Sequence, residues 1–233
     1  MRLSTTKRGF TLVELLAVIA IVSFLAAIII PLLGSVRKTA RTSQCAGNLR
    51  QLHTAAATYA AENRGLYVPN QAVDAAGISR NWYDDEAFQR KLGEVSTGVV
   101  GATALTLRCP SAGDAIPSKW GGYGINNEGN TGNAAWSPGA TATPRRRAFY
   151  LNRVPDPAKT MAFADSLDWQ LYRAGIDKYT FADPGDETPA AQAVAFRHAG
   201  AANVVFLDGH LERLDREQFK QRPAIWILLP TSS

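Results

Sequence analysis

Lys7-Arg8-Gly9-Phe10-Thr11-Leu12-Val13-Glu14 opens onto Leu15–Val36, a run of 22 residues without a charged side chain. A helix needs roughly 18 to 20 apolar residues to cross a bilayer, so this run predicts a membrane span over about 12–34. Basic residues stand on both sides of it, Arg2, Lys7 and Arg8 before and Arg37, Lys38 and Arg41 after, and charge alone leaves the topology open. No second run is comparable. Ala224-Ile225-Trp226-Ile227-Leu228-Leu229 is too short to span and reads as a buried strand or a segment docked on the core.

The chain has 233 residues, 46% of them hydrophobic, enough for one packed domain with an appendage. Its net charge of +5 is concentrated at one end. Taking Arg2, Lys7 and Arg8 from the 25 basic residues leaves 22 against 20 acidic ones. Nucleic acid asks for a basic face or stripe, so no nucleic-acid partner is expected.

A secretory signal is cut after its apolar core at small residues, and Ile28-Ile29-Ile30-Pro31-Leu32-Leu33 is a poor match to such a site. The alternative is cleavage before the core. Here Lys7-Arg8-Gly9-Phe10-Thr11-Leu12-Val13-Glu14, with Pro31 further on, resembles the prepilin-type leader of type IV pilins and type II secretion pseudopilins. The resemblance implies that a membrane-embedded prepilin peptidase cuts between Gly9 and Phe10 on the cytoplasmic side and methylates the Phe10 amine. It also implies a head exported to the periplasmic side, tethered by a single pass through the inner membrane. Residues 1–9 would then be a removed leader.

Glu14 stands among Leu12, Val13, Leu15 and Leu16, where a carboxylate costs on the order of 3 kcal/mol in a membrane. In the family its partner is the N-terminal ammonium of a neighbouring subunit. The resemblance therefore implies that Glu14 pairs with Phe10 of another copy, and that cleavage, by converting an amide into an amine, switches assembly on. A carboxylate solvated at the membrane surface is the alternative.

Pro31 removes one helical hydrogen bond and predicts a bend or a loosened turn. Beyond it Cys45, Leu49, Leu52, Ala56 and Tyr59 recur at steps of four and three, the pattern of an amphipathic helix with one buried stripe. The expectation is one helix over 10–64, ended by Gly65. Cys45 falls on the stripe, and Cys109 follows Ala104-Leu105-Thr106-Leu107-Arg108, which reads as a short strand. In an exported head the two would form a disulfide between helix and sheet, about 4 kcal/mol by loop entropy; two unpaired buried thiols are the alternative. Neither cysteine has another cysteine or a histidine at ligand spacing, which argues against a metal site built from them.

Residues 65–143 read as loops with a short helix near 84–92, and Trp120, Tyr123 and Trp136 either present aromatic faces to a sugar or a secretion partner or pin the loop to the core. After Pro155-Asp156-Pro157 the segments 160–165, 193–198, 203–208 and 210–214 alternate like strands, with turns at Gly200 and Asp208-Gly209. They predict an antiparallel meander within about 147–214. The fold class is α+β: a long N-terminal helix packed on an antiparallel sheet, with the head over 65–233.

His198, nine residues, then Asp208-Gly209, together with Asp165-Ser166 upstream, resembles the C-terminal signature of a large bacterial subgroup of pilin-like proteins. Two readings of it stay open. Asp165, His198 and Asp208 could converge on a divalent cation such as calcium, which the resemblance makes relevant, though histidine is a poor calcium ligand. Alternatively Asp208-Gly209 is a turn and His198 hydrogen-bonds across the hairpin. No nucleophile motif, paired metal-ligand histidines or phosphate loop accompanies them, so no enzyme is expected. The function expected is a structural subunit of a type II secretion-like pseudopilus or type IV pilus-like filament, assembled with other pilin-like subunits on a membrane platform. A membrane-tethered module binding a glycan or cation is the rival.

Overall fold

Residues 12–93, 107–128 and 145–226 are described in a computed structural model, whose contacts divide the chain into the units 1–40 and 41–233. Helix α1 runs Leu12–Glu62 and continues through Pro31, so the lost hydrogen bond does not end it. Leu12–Ile30 is long and apolar enough to cross a membrane. Among the described residues, every exposed large apolar side chain but Ile78 lies between Leu12 and Val36.

In the second unit α1 changes character as its sequence does. Cys45, Leu49, Leu52, Ala56 and Tyr59 are all buried, the stripe that their spacing predicts, and Ala55 and Ala60 widen it. A fully buried leucine contributes about 1.5–3 kcal/mol, so this face is a principal support of the head. The helix closes as Gly65, at φ +85°, donates its N–H to Ala60 O at 2.8 Å.

Two sheets follow. A small antiparallel one has the order β2-β1-β4, with β1 at Gln71–Val73, β2 at Ser79–Asn81 and β4 at Arg145–Arg147. Between them Asp85 caps the short helix α2, Glu86–Lys91, by accepting the Phe88 N–H. The larger sheet has the order β6-β3-β5-β7-β8, built from β3 (Tyr123–Asn126), β5 (Met161–Asp165), β6 (Gln170–Leu171), β7 (Ala201–Phe206) and β8 (Leu211–Asp215). All its pairings are antiparallel except β3 with β6. Strands β3, β5 and β7 are buried along their whole length, whereas β8 at the edge carries Glu212 and Arg213. Asp215 then begins α3, Arg216–Gln221, through a capping box with Gln218. Beyond α3, Ile225 and Trp226 dock in the core; residues 227–229 lie outside the described residues.

Three sequence expectations are corrected. The loop reading of 121–130 hides a central strand, because β3 alternates Tyr123 and Ile125 with Gly124 and Asn126. Glycine is required there by close approach: a Cβ at 124 would stand 2.8 Å from Asp168 O and 2.9 Å from both Leu171 Cγ and Ser166 Cβ. The segment 193–198 is buried but not a strand. It touches the sheet through isolated bridges, Ser166 to Val194 and His198 to Ala201, and is bounded by left-handed residues, Gln192 at φ 66° and Ala199 at φ 53°. Leu107 and Arg108 belong to no strand either; residues 104–106 lie outside the described residues. The disulfide partner of the helix is therefore a loop.

Gly124→Ala is expected to cost about 1–3 kcal/mol by overpacking. Urea unfolding of the chain in detergent measures it, and an unchanged midpoint would contradict the close packing of β3 under 166–171.

Candidate functional site

Two places in the chain concentrate chemistry. The first is the start of α1. Glu14 lies in its first turn, an acidic side chain at a helix N-terminus and inside the apolar span. Gly9 and Phe10 lie outside the described residues.

The second is buried in the head, where α1, the loop at Cys109, the end of β5 and segment 193–198 meet. Cys45 and Cys109 are joined by a disulfide, with Cα atoms 4.9 Å apart. His198 Nε2 lies 3.1 Å from Asp165 Oδ2 and 3.7 Å from Cys109 Sγ, and its Nδ1 lies 3.2 Å from Thr42 Oγ1. Asp165 Oδ2 also accepts the Asn203 N–H at 2.7 Å, which fixes β5 against β7. Asn48 on α1 donates to Arg108 O and to the Tyr123 hydroxyl, each at 3.0 Å. Burial, reinforced by the Asp165 charge, pushes the Tyr123 hydroxyl well above the usual phenol range, so it stays a neutral hydrogen-bonding group.

Beside this cluster the Arg197 guanidinium is fully enclosed. It holds Glu187 with Nε to Oε1 at 3.0 Å and Nη2 to Oε2 at 3.0 Å, while Nη1 donates to Gly122 O and Nη2 to Ser166 O, both at 2.9 Å. Tyr179 donates its hydroxyl to Glu187 Oε1 at 2.9 Å, and burial, with the Glu187 charge, pushes that hydroxyl well up too. Sequence reading passed over Arg197, Glu187, Thr42 and Asn48. A signal for Arg197 was available, since a guanidinium inside the apolar run Ala193-Val194-Ala195-Phe196 must be paired if that run is buried.

The signature residues do not form one site. His198 bridges Ala201 at the beginning of β7, whereas Asp208-Gly209 forms the turn after its end, about 17 Å further along a strand of that length. Asp208 is instead engaged by His210, whose Nδ1 lies 2.6 Å from Asp208 Oδ1 and whose backbone N–H donates to the same atom. Partial burial opposes ionisation of Asp208, but the His210 hydrogen bonds outweigh it and hold the carboxyl below its ordinary range. Calcium at Asp165, His198 and Asp208 thus does not fit: one carboxylate lies at the far end of the strand, and the donors left beside the other are nitrogen and sulfur. The nine-residue spacing measures out one strand. Glycine suits position 209, where φ is +93° and a Cβ would lie 3.0 Å from His53 Nε2 on α1.

The aromatic residues considered for sugar binding are core members: Trp120 and Tyr123 are buried, and Trp136 lies outside the described residues.

Residues 5–30 match the family model described as the prokaryotic N-terminal methylation motif. No curated protein and no solved structure matches the chain. The motif match takes in residues 5–11 and the apolar part of α1 and supports a type IV pilin-like prepilin, with processing by prepilin peptidase and pilin-like assembly as its implications. Among the described residues one N-terminal helix is long and apolar enough to span, consistent with a membrane anchor. The motif is that of a structural family rather than an enzyme class.

Two predictions follow from the head. Arg197→Met would leave the Glu187 carboxylate buried without its cation, for an expected loss of about 3–5 kcal/mol in denaturant unfolding. Adding Glu187→Gln should recover part of that loss, and no recovery would mean that the backbone bonds of Arg197, not the pair, carry the effect. His53 is held below its ordinary value by burial, which outweighs the opposing Asp208 charge. Below about pH 6.5 the unfolded chain takes up a proton that the folded head refuses, so stability falls as pH falls. The urea midpoint should drop between about pH 7.5 and 5.5, and less steeply in His53→Gln.

Proposed function

We propose that this chain is a structural pilin or pseudopilin subunit, cleaved by prepilin peptidase between Gly9 and Phe10, methylated on Phe10, and polymerised through α1 into a pseudopilus or pilus-like filament. The observation that carries this reading is the methylation-motif match over residues 5–30, lying on a helix whose Leu12–Ile30 stretch is suited to a membrane. In the membrane the chain is a single-pass inner-membrane protein with its head on the periplasmic side. Other copies, other pilin-like subunits and the assembly platform are its partners. Residues 1–9 are the leader and residues 65–233 the exported head.

The mechanism is a charge exchange. Glu14 is costly in an apolar medium, on the order of 3 kcal/mol, and cleavage creates the ammonium on Phe10 that a neighbouring copy's Glu14 can pair with. Before cleavage the same nitrogen is a neutral amide. The apolar side chains from Leu12 to Val36 then have each other as a solvent in the filament core.

A structural role also agrees with the state of the head cluster. His198 is 2% exposed and Asp165 fully buried, and both are committed to neighbours in the fold, so a substrate would have no access to them.

The mature N-terminal mass tests the processing: loss of residues 1–9 with one added methyl is expected, and an intact Met1 would overturn it. Glu14→Ala should leave membrane insertion and cleavage intact while abolishing recovery of subunits in sheared filaments. Unchanged filament yield would remove the proposed pairing.

A further inference from the structure

The disulfide lies inside a set of donors that suits a different occupant. One ligand atom each from Cys45, Cys109, Asp165 and His198 falls within 4.8 Å of the others, and all four residues are buried. They come from α1, the loop at Cys109 and two further segments, which is why sequence spacing argued against a metal here. We propose that when Cys45 and Cys109 are reduced, this cluster binds one zinc ion through two thiolates, His198 Nε2 and one Asp165 oxygen.

The geometry is close to what such an ion needs. Tetrahedral zinc with bonds of about 2.0–2.1 Å to nitrogen or oxygen and about 2.3 Å to sulfur places N and O ligands about 3.4 Å apart, and N and S ligands about 3.6 Å apart. His198 Nε2 stands 3.1 Å from Asp165 Oδ2 and 3.7 Å from Cys109 Sγ. Opening the bond lets the sulfurs move to the separation of about 3.8 Å that two zinc–sulfur bonds require. Asp165 Oδ1 is buried without a hydrogen-bond partner, a carboxylate oxygen with capacity to spare.

The surroundings supply the second layer. With zinc on Nε2 the imidazole is neutral and carries its proton on Nδ1, where Thr42 Oγ1 at 3.2 Å accepts it. Two thiolates and one carboxylate leave zinc with one net negative charge. Arg197, held on Glu187, also brings Nη1 to 3.9 Å from Asp165 Oδ1, so a positive end faces the site. Two thiolates and an imidazole select zinc over calcium or magnesium. The chemistry balances: a dithiol gives two electrons and two protons to the disulfide and becomes a disulfide itself, and zinc binding then releases the two thiol protons. The ion joins α1 to the Cys109 loop in the form of the head that lacks the covalent bond.

The test uses the full chain in detergent, reduced with a dithiol that is removed by gel filtration under argon, and titrated with cobalt(II) as the optical probe. One cobalt per chain with a thiolate-to-cobalt charge-transfer band is expected in the reduced form and none in the oxidised form. Zinc should displace it and calcium should not. Thr42→Val, which keeps every ligand, should weaken binding by about 10–100-fold. Near-ultraviolet circular dichroism reports folding throughout. The proposal is overturned if the reduced chain binds no more metal than the oxidised one, if it unfolds whether or not zinc is present, or if a folded His198→Ala chain keeps the band at full strength. None of these outcomes bears on filament assembly, which is read separately through Glu14.

Discussion

The Arg197 guanidinium is the constraint around which the head is arranged. It reaches Gly122 O before β3, Ser166 O after β5 and the Glu187 carboxylate in the turn 184–187, while its own backbone belongs to the segment leading to β7. Gly122 and Ser166 continue the β3–β5 pairing, with the Ser166 N–H donated to Gly122 O, and Arg197 ties that end of the ladder to the turn and to its own segment. Removing a cation and a carboxylate from water costs several kcal/mol per ion, and the Coulomb gain offsets it only when geometry is good and the remaining protons are satisfied. Here the contact to Glu187 is two-pronged and the outer N–H groups find carbonyls, so the condition is met. The result is specificity of arrangement more than surplus stability.

Once Arg197 fixes the segment, its neighbour His198 has only one place to go. It points to Asp165, the last residue of β5, which also accepts the Asn203 N–H on β7. Those contacts set where β7 begins relative to β5. After nine intervening residues Asp208-Gly209 forms the turn that follows the strand, and Gly209 lets it close against His53 of α1. The signature spacing is thus a ruler with a buried mark at one end and an exposed one at the other. Asp165 and Ser166 belong to the same device, since Ser166 Oγ donates to Ala193 O and accepts the Asp168 N–H.

Legibility in the sequence followed the range of the interactions. The apolar run, the Gly9-Phe10 junction and Glu14 are local patterns, and residues 5–30 are the part that a family model matches. The buried stripe from Cys45 to Tyr59 was legible because helical periodicity repeats within a few residues. Strand β3 was not, since Gly122, Gly124, Asn126 and Asn127 have turn propensities that burial between β5 and β6 overrides. The segment 193–198 misled in the other direction: its apolar run looks like a strand, but what it buries is an arginine and a histidine with long-range partners. The metal question failed for the same reason, because Cys45, Cys109, Asp165 and His198 are gathered by tertiary structure across 153 residues of sequence.

The two halves of the sequence also place opposite demands on charge. In the proposed filament, Glu14 at the start of α1 meets the cation that processing creates on Phe10 of another copy, so that pairing reports a completed step. In the head the buried Arg197 is matched from within by Glu187, and His198 lies against Asp165, so these contacts belong to the fold itself. Under the proposed function this division suits a subunit that is first a membrane monomer and then part of a polymer. A charge created by cleavage distinguishes the two states without altering the head's own contacts.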